Sequence, residues 1–431
     1  MIANRKTKRG KIFSAVLAQV FAPSALAMAM AVGVVATAAP AMAAGPAYSK
    51  PFVAVAGPLQ ADIEKYKKTP DAALLAALKT KIDAAIAAAT APDDKNAAGN
   101  FAVNVGTFAQ DTALQRKGIN LMIESGKQPA EALPRLHFFL GNFAAEAKEF
   151  DVAKAELEKA MAGGVKDADV YVLMAQVYIG NKQEKEGLPY LVKAIDSITA
   201  TGKAAPDSWY RSALSIAYGQ RDYVTAQPLS MQLVKAYPSQ KNWSLAIVVL
   251  RDLGRLPAQD SLDLLRLMSR TKSFAEERDY AEFVQAADAR RNPPEVKAAI
   301  DAGVAAGLVN GQKQFFSEAL KIAESRIAAD KASLPALDKD ARAANATAAR
   351  VNGAADAFLS YGQGATAAEL YKLALEKPGV DKPVVLTRLG IAQIDAGDYA
   401  GAQASFAKVE GPRLGLAQLW SVYAAQKAAG K

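Results

Sequence analysis

Not one of the 431 residues is cysteine. That absence excludes disulfides, thiolate metal sites, cysteine nucleophiles and a lipid-modified N-terminal cysteine. Histidine is nearly as scarce: His137 stands alone, so no multi-histidine metal centre can form within one chain. Aromatic residues are only 7 % of the chain, and strand patterns are weak. Short pieces such as "FVAVAG" after Lys50 alternate, but prolines flank that segment. Alanine is abundant instead, which favours closely packed helices over sheet. The length exceeds one ordinary core, so several units or a repeat array are expected.

Much of the positive charge sits at the start. "NRKTKRGK" places Arg5, Lys6, Lys8, Arg9 and Lys11 ahead of an apolar run from Ile12, and Ala41-Met42-Ala43 has the small-x-small form of a cleavage site before Ala44. Residues 1–43 therefore read as a secretory signal peptide. Removing its five positive charges takes the formal net charge from +9 to +4. A nucleic-acid partner then loses its main support. A periplasmic location is expected, with no stable transmembrane span after signal removal. The competing reading is an uncleaved inner-membrane anchor over Ile12–Ala39, against which Pro23 and the many alanines argue.

Residues 44–133 read as an N-terminal helical region. Its first part, 44–60, looks irregular because of its glycines and prolines, and Thr69-Pro70 looks like the cap and first turn of a helix. Leu75, Leu78, Ile82 and Ile86 lie three or four apart along that helix, an amphipathic pattern. "APDDKNAAGN" reads as a break, and another helical stretch runs from about Phe101 to Ile123.

From Pro134 onward the chain repeats itself. Leu140-Gly141, Ala144, Ala153, Leu157 and Ala160 return 34 residues later as Met174-Ala175, Tyr178, Gly187, Leu191 and Ala194. Tyr223 and Ala226 continue the series. The template reappears near the C-terminus as Ala354-Ala355, Phe358, Ala367, Tyr371 and Ala374, and again as Leu389-Gly390, Tyr399, Ala402 and Phe406. Self-similarity at this period marks stacked helical hairpins.

These residues resemble the tetratricopeptide repeat (TPR), a pair of antiparallel helices, in five units: 134–167, 168–201, 207–240, 348–381 and 383–416. The third unit departs with Ala213-Leu214 and Ser230, and the fourth has Gly364 in an aromatic slot. The fold expected is all-α, an α-solenoid of antiparallel hairpins forming a right-handed superhelix. A repeat block over 134–240 is joined through degenerate hairpins and a connector (241–347) to C-terminal repeats with a capping helix (348–431). In the connector region, paired prolines after Asn292 start a helix, "QKQFFSEALKIAESRIAAD" continues as one long helix, and an Ala-rich connector is expected around Ser333–Asn345. Leu416, Leu419, Trp420 and Tyr423 share one side of the cap. Gly141 and Ala153 are expected where the backbones of one hairpin nearly touch.

No catalytic constellation accompanies this pattern. His137 lies within "RLHFFL" without a nucleophile motif and reads as a packed imidazole. Glu146/Glu149 and Asp93/Asp94 read as solvated faces or caps, and "GGVKD" and "YGQG" do not continue into a phosphate loop. No metal or cofactor is expected.

The TPR resemblance implies that the first helix of each hairpin lines the inner, concave side. Positions facing away from the Leu-Gly seam are Phe138, Asn142 and Ala145, then Val172, Gln176 and Ile179, then Arg211, Ser215 and Tyr218. Apolar pockets beside amide and guanidinium donors suit a protein or peptide partner. Some TPR proteins grip a terminal carboxylate in these slots; here only Asn142 and Arg211 match, so acidic chaperone tails are not expected. The expectation is a non-enzymatic periplasmic scaffold in envelope assembly. The alternatives are an accessory solenoid of a cell-wall-active enzyme system and a structural protein that self-assembles into homo-oligomers.

Overall fold

The computed structural model describes residues 46–254, 256–257 and 260–430, so the expected signal peptide lies outside the described residues. Among them are twenty α-helices and no strand. No helix there is long and apolar enough to cross a membrane. The described residues form two compact units, meeting in sequence at Ala205 and Pro206.

The N-terminal unit begins with α1 (Lys50–Lys68), α2 (Ala72–Ala88), α3 (Pro92–Phe108) and α4 (Thr112–Glu124). Most of the stretch expected to be irregular is helical from Lys50, with Pro58 inside α1. An interior proline costs about 3 kcal/mol. Phe52, Leu59 and Ile63 lie on one stripe and are fully buried against Leu78, Ile82 and Ala98, and each such side chain returns about 1.5–3 kcal/mol. The cap of α2 is Asp71, whose Oδ1 accepts from the Leu74 amide at 2.7 Å, rather than Thr69, which ends α1. The expected break at 91–100 is instead the start of α3. Buried Asp94 accepts there from the amides of Ala91 (3.2 Å) and Ser49 (2.9 Å), satisfying donors that a helix start leaves open.

Two hairpins follow: α5 (Leu133–Glu146) with α6 (Phe150–Ala162), and α7 (Ala168–Gly180) with α8 (Glu184–Thr199). Helix α5 touches α7 as well as α6, the side-by-side stacking of a solenoid. The small residues stand where the backbones converge. A Cβ on Gly141 would lie 2.7 Å from Leu157 Cγ and 3.3 Å from the Ala153 carbonyl oxygen. A tighter crossing is one that the sequence did not reveal. Between α3 and α4, a Cβ on Gly99 would lie 2.6 Å from the Gly118 oxygen, and one on Gly118 equally near the Gly99 oxygen.

The C-terminal unit contains α9 (Asp207–Gly219), α10 (Tyr223–Ala236), α11 (Gln240–Leu253), α12 (Ser261–Arg270), α13 (Glu277–Ala287), α14 (Pro293–Ala305), α15 (Gln314–Ala341), α16 (Ala348–Ser360), α17 (Gly364–Leu375), α18 (Lys382–Asp395), α19 (Tyr399–Phe406) and α20 (Leu414–Ala428). Helix α14 starts at the paired prolines as expected. Helix α15 continues through Pro335 to Ala341, so the connector is shorter than the sequence suggested. Gly364 replaces an aromatic residue for a steric reason: its Cβ would lie 2.6 Å from the Ala392 oxygen.

One turn recurs through both units. Lys148, Lys182, Arg221, Gly362 and Gly397 occupy the same slot in the five repeats, and each has φ between +57° and +79°. In each, that residue's amide donates three residues back and the next amide five back, as in Lys148→Ala145 (3.0 Å) and Glu149→Ala144 (2.8 Å). This pairing satisfies the last carbonyls of a helix. Gln110, Lys272 and Gly307 make the same turn, so α3/α4, α12/α13 and α14/α15 are hairpins of this kind too.

The array of the C-terminal unit closes on itself. Helix α20 covers the last hairpin, with Trp420 stacked on Phe406 at 6.4 Å. It also reaches back to α10, α11 and α12. Gln227 Nε2 donates to the Gly415 oxygen (3.3 Å), Gln426 Nε2 to the Val234 oxygen (2.7 Å) and Trp420 Nε1 to the Asp263 oxygen (3.1 Å). Trp243 meets Tyr423 edge-on at 6.3 Å.

Candidate functional site

Helix α7 is buried almost all round, at Val170, Leu173, Met174, Ala175, Val177, Tyr178 and Ile179. Besides Tyr171 and the terminal Gly180, what stays open is Asp169, Val172 and Gln176, spaced i, i+3, i+7 and so on one face. On neighbouring α5 the corresponding open stripe is Arg135, Phe139, Asn142 and Glu146. Asn142 Nδ2 donates to Glu146 Oε1 at 3.1 Å, Arg135 pairs with Asp167 at 2.8 Å, and its guanidinium lies 5.5 Å from the Phe139 ring. Two touching helices thus present amide groups, both charge signs and one aliphatic side chain together.

The expected binding residues divide. Asn142, Val172 and Gln176 are half-exposed and lie on this face. Phe138 does not: it is 2 % exposed, packs with Leu157, Leu173 and Met174, and has the Arg135 guanidinium 4.7 Å above its ring. Ile179 is buried over Gly187, whose Cβ would sit 3.3 Å from Ile179 Cγ1. Both are core residues, because the shape of a repeat needs large side chains between successive hairpins. In the C-terminal unit, α9 is buried continuously from Ser212 to Ala217, which removes Ser215 from any surface. Arg211 Nε is taken by Asp207 at 2.8 Å and the Tyr218 hydroxyl by Asp252 at 2.5 Å. Arg135 and Asp169 share this open face without having been singled out, and Glu146, read as a solvated helix face, lies on it too; their signal was the polar spacing along each helix, masked by the apolar background of both.

His137 is half-buried. Its Nδ1 lies 2.6 Å from Glu156 Oε2, and Lys159 reaches the other oxygen at 2.8 Å. Burial pushes the Glu156 carboxyl up, but the hydrogen bonds from Lys159 and His137 outweigh it and hold the group below its ordinary range. The three residues staple α5 to α6. Among the described residues no group of three His, Asp or Glu could hold a metal.

A second concentration of polar groups fills the C-terminal unit where α12, α16, α18 and the turn before α20 meet. Asp263, with no exposure, receives Arg266 (2.8 Å), Arg388 (3.2 Å) and Arg413. Outer acids hold the same arginines: Glu295 takes Arg266 at 2.7 Å, Asp356 takes Arg388 at 2.7 Å, and Asp260 takes Arg413. Tyr371 donates to Asp356 at 2.6 Å. Burial alone would raise the Asp263 carboxyl, yet the three guanidiniums hold it far below the usual range. For Asp260 burial wins over Arg413 and the carboxyl is raised. The cluster reads as a clasp that ties α12 to α14, α16, α18 and the turn before α20.

No known family profile and no curated protein sequence matches the chain. Solved structures with similar folds include Naa15/Naa10 bound to HypK-THB (13 % identity, TM-score 0.35, covering 86 % of this chain and 62 % of that one). The P58(IPK) TPR domain is 13 % identical with TM-score 0.23, over 87 % and 99 % of the two chains. The human IFIT1 dimer with PPP-AAAA is 12 % identical with TM-score 0.22, over 86 % and 82 %. The chain thus spans under two thirds of the first of these. Identities this low concern the fold alone, and TM-scores this low add no detail to the helical-hairpin array described above.

Proposed function

We propose that the chain is a non-enzymatic interaction scaffold that holds a partner's peptide segment along the α5/α7 face of its N-terminal unit. The observation that carries this is the stripe Asp169–Val172–Gln176, open on a helix that is mostly buried, beside Asn142 on α5. Side-chain amides grip a peptide's backbone, while Val172 gives an apolar contact for one of its side chains. The segment bound is one that alternates apolar and hydrogen-bonding side chains. With the export signal read from residues 1–43, the site of action is the periplasm and the role lies in envelope assembly.

The test is capture from envelope extract by three baits: wild type, a Val172→Glu/Gln176→Ala double variant, and a control with Lys182→Ala in the turn after α7. The reading expects a partner retained by wild type and control and lost by the double variant. Equal retention by all three baits places the binding elsewhere and refutes it.

A further inference from the structure

Closure of the C-terminal unit leaves a cleft of about 410 Å³ between α12, α13, α14, α16 and α18. That volume suits a small molecule and is too small for a helix. Its rim carries both charge signs in equal number. Arg266 and Glu295 form one pair, and Arg270 grips Asp395 with both terminal nitrogens to form the other. Arg270 keeps its Nε–H and one hydrogen on each terminal nitrogen beyond the two that Asp395 takes, and each carboxylate oxygen keeps a second lone pair. Ser269 and Ser360 add hydroxyls to the lining, and Phe283 and Ala299 give it an apolar floor. One of these groups is unaccounted for: Ser360 is 7 % exposed, and its Oγ has no hydrogen-bond partner. A buried hydroxyl left unpaired is costly and calls for a reason.

We propose that this cleft binds a zwitterionic α-amino acid with an apolar side chain. Its carboxylate takes the unused N–H groups of Arg270, its ammonium takes free lone pairs of Asp395 and the Ser360 hydroxyl, and its side chain lies on the apolar floor. The balance of charge selects the class. The two ion pairs leave the lining neutral, so a net anion or cation adds an uncompensated charge to a partly dry space, whereas a zwitterion does not. The site lies in the C-terminal unit and is independent of the peptide face on α5 and α7.

Calorimetric titration of the full chain with L-leucine and L-phenylalanine tests the proposal. The controls are L-leucinamide, which lacks the carboxylate, and 4-methylpentanoate, which lacks the ammonium. Saturable binding of at least one amino acid is expected, with each control weaker by about tenfold or more, the loss of one charged hydrogen bond. Ser360→Ala should weaken the amino acid about fivefold without lowering the melting temperature, because the hydroxyl has no partner within the protein. No saturable binding of either amino acid up to about 10 mM, the weak end of specific recognition, overturns the proposal. So does equal binding of either control, or unchanged binding by a folded Ser360→Ala chain.

Discussion

Replacing Asp263 with asparagine keeps the shape of the side chain and removes one charge from the centre of the clasp. Counting charges alone predicts little harm, since Glu295, Asp356 and Asp260 already match Arg266, Arg388 and Arg413 one for one. Geometry predicts otherwise. Only Asp263 touches all three guanidiniums, and an asparagine amide turns two hydrogens toward groups that can only donate. Arg266 and Arg413 are 5 % and 3 % exposed, so water cannot replace the lost charge. Breaking a buried ionic network by removing one partner costs about 3–5 kcal/mol. At roughly 2–4 °C per kcal/mol for a unit of this size, the melting temperature should fall by about 6–20 °C. Trp209, Trp243 and Trp420 are the chain's three tryptophans and all lie in the C-terminal unit, so urea titration followed by tryptophan fluorescence reads that unit alone. A loss below about 1 kcal/mol would match an exposed ion pair and refute the clasp.

Further expectations follow from the same geometry. Asp263 is depressed when folded, so its stabilisation is fully present above the unfolded carboxylate pKa of about 3.9 and fades as pH falls through the lower folded value. The stability gap between wild type and Asp263→Asn should therefore be flat from neutrality to about pH 5 and narrow below about pH 4; a gap that widens on acidification would reverse the sign. Asp260, raised by burial, works in the opposite direction, its contribution being lost as pH rises through its folded value. Gly118→Ala should destabilise by about 1–3 kcal/mol because its Cβ meets the Gly99 oxygen. Gly353→Ala, with nothing within 4 Å, should stabilise by about 1 kcal/mol, and thermal melts of the two should move oppositely. Lys148→Gly in the left-handed turn slot should gain about 0.5–1 kcal/mol, the backbone strain relieved less the entropy added, as read by chemical denaturation. N-terminal sequencing of exported protein should begin at Ala44; an intact Met1 would favour the anchor.

The repeats that sequence exposes are those in which small and large residues alternate at fixed spacing, as Gly141, Ala153 and Leu157 do. The turns at Gln110 and Lys272 were hidden because neither is glycine, although both adopt the left-handed conformation that glycine would have announced. Pro58 and Pro92 misled in opposite ways. One is carried inside a helix by its buried neighbours, and the other starts a helix where it was read as breaking one. The clasp had no local signature. Asp263 and Arg413 are 150 residues apart, and each resembles a solvated helix charge until the far helix packs on it. The open face was half legible: spacing singled out Asn142, Val172 and Gln176, but it could not show that Phe138 and Ile179 turn inward, because the same period serves core and surface.

The most direct measurement of the scaffold reading places a photo-crosslinking amino acid at position 176, and in separate chains at 172 and at Glu158 on α6, and irradiates each in cells. The account predicts one shared adduct from 172 and 176 and none from 158. Adducts of equal yield from 158, or none from 172 and 176, would contradict it.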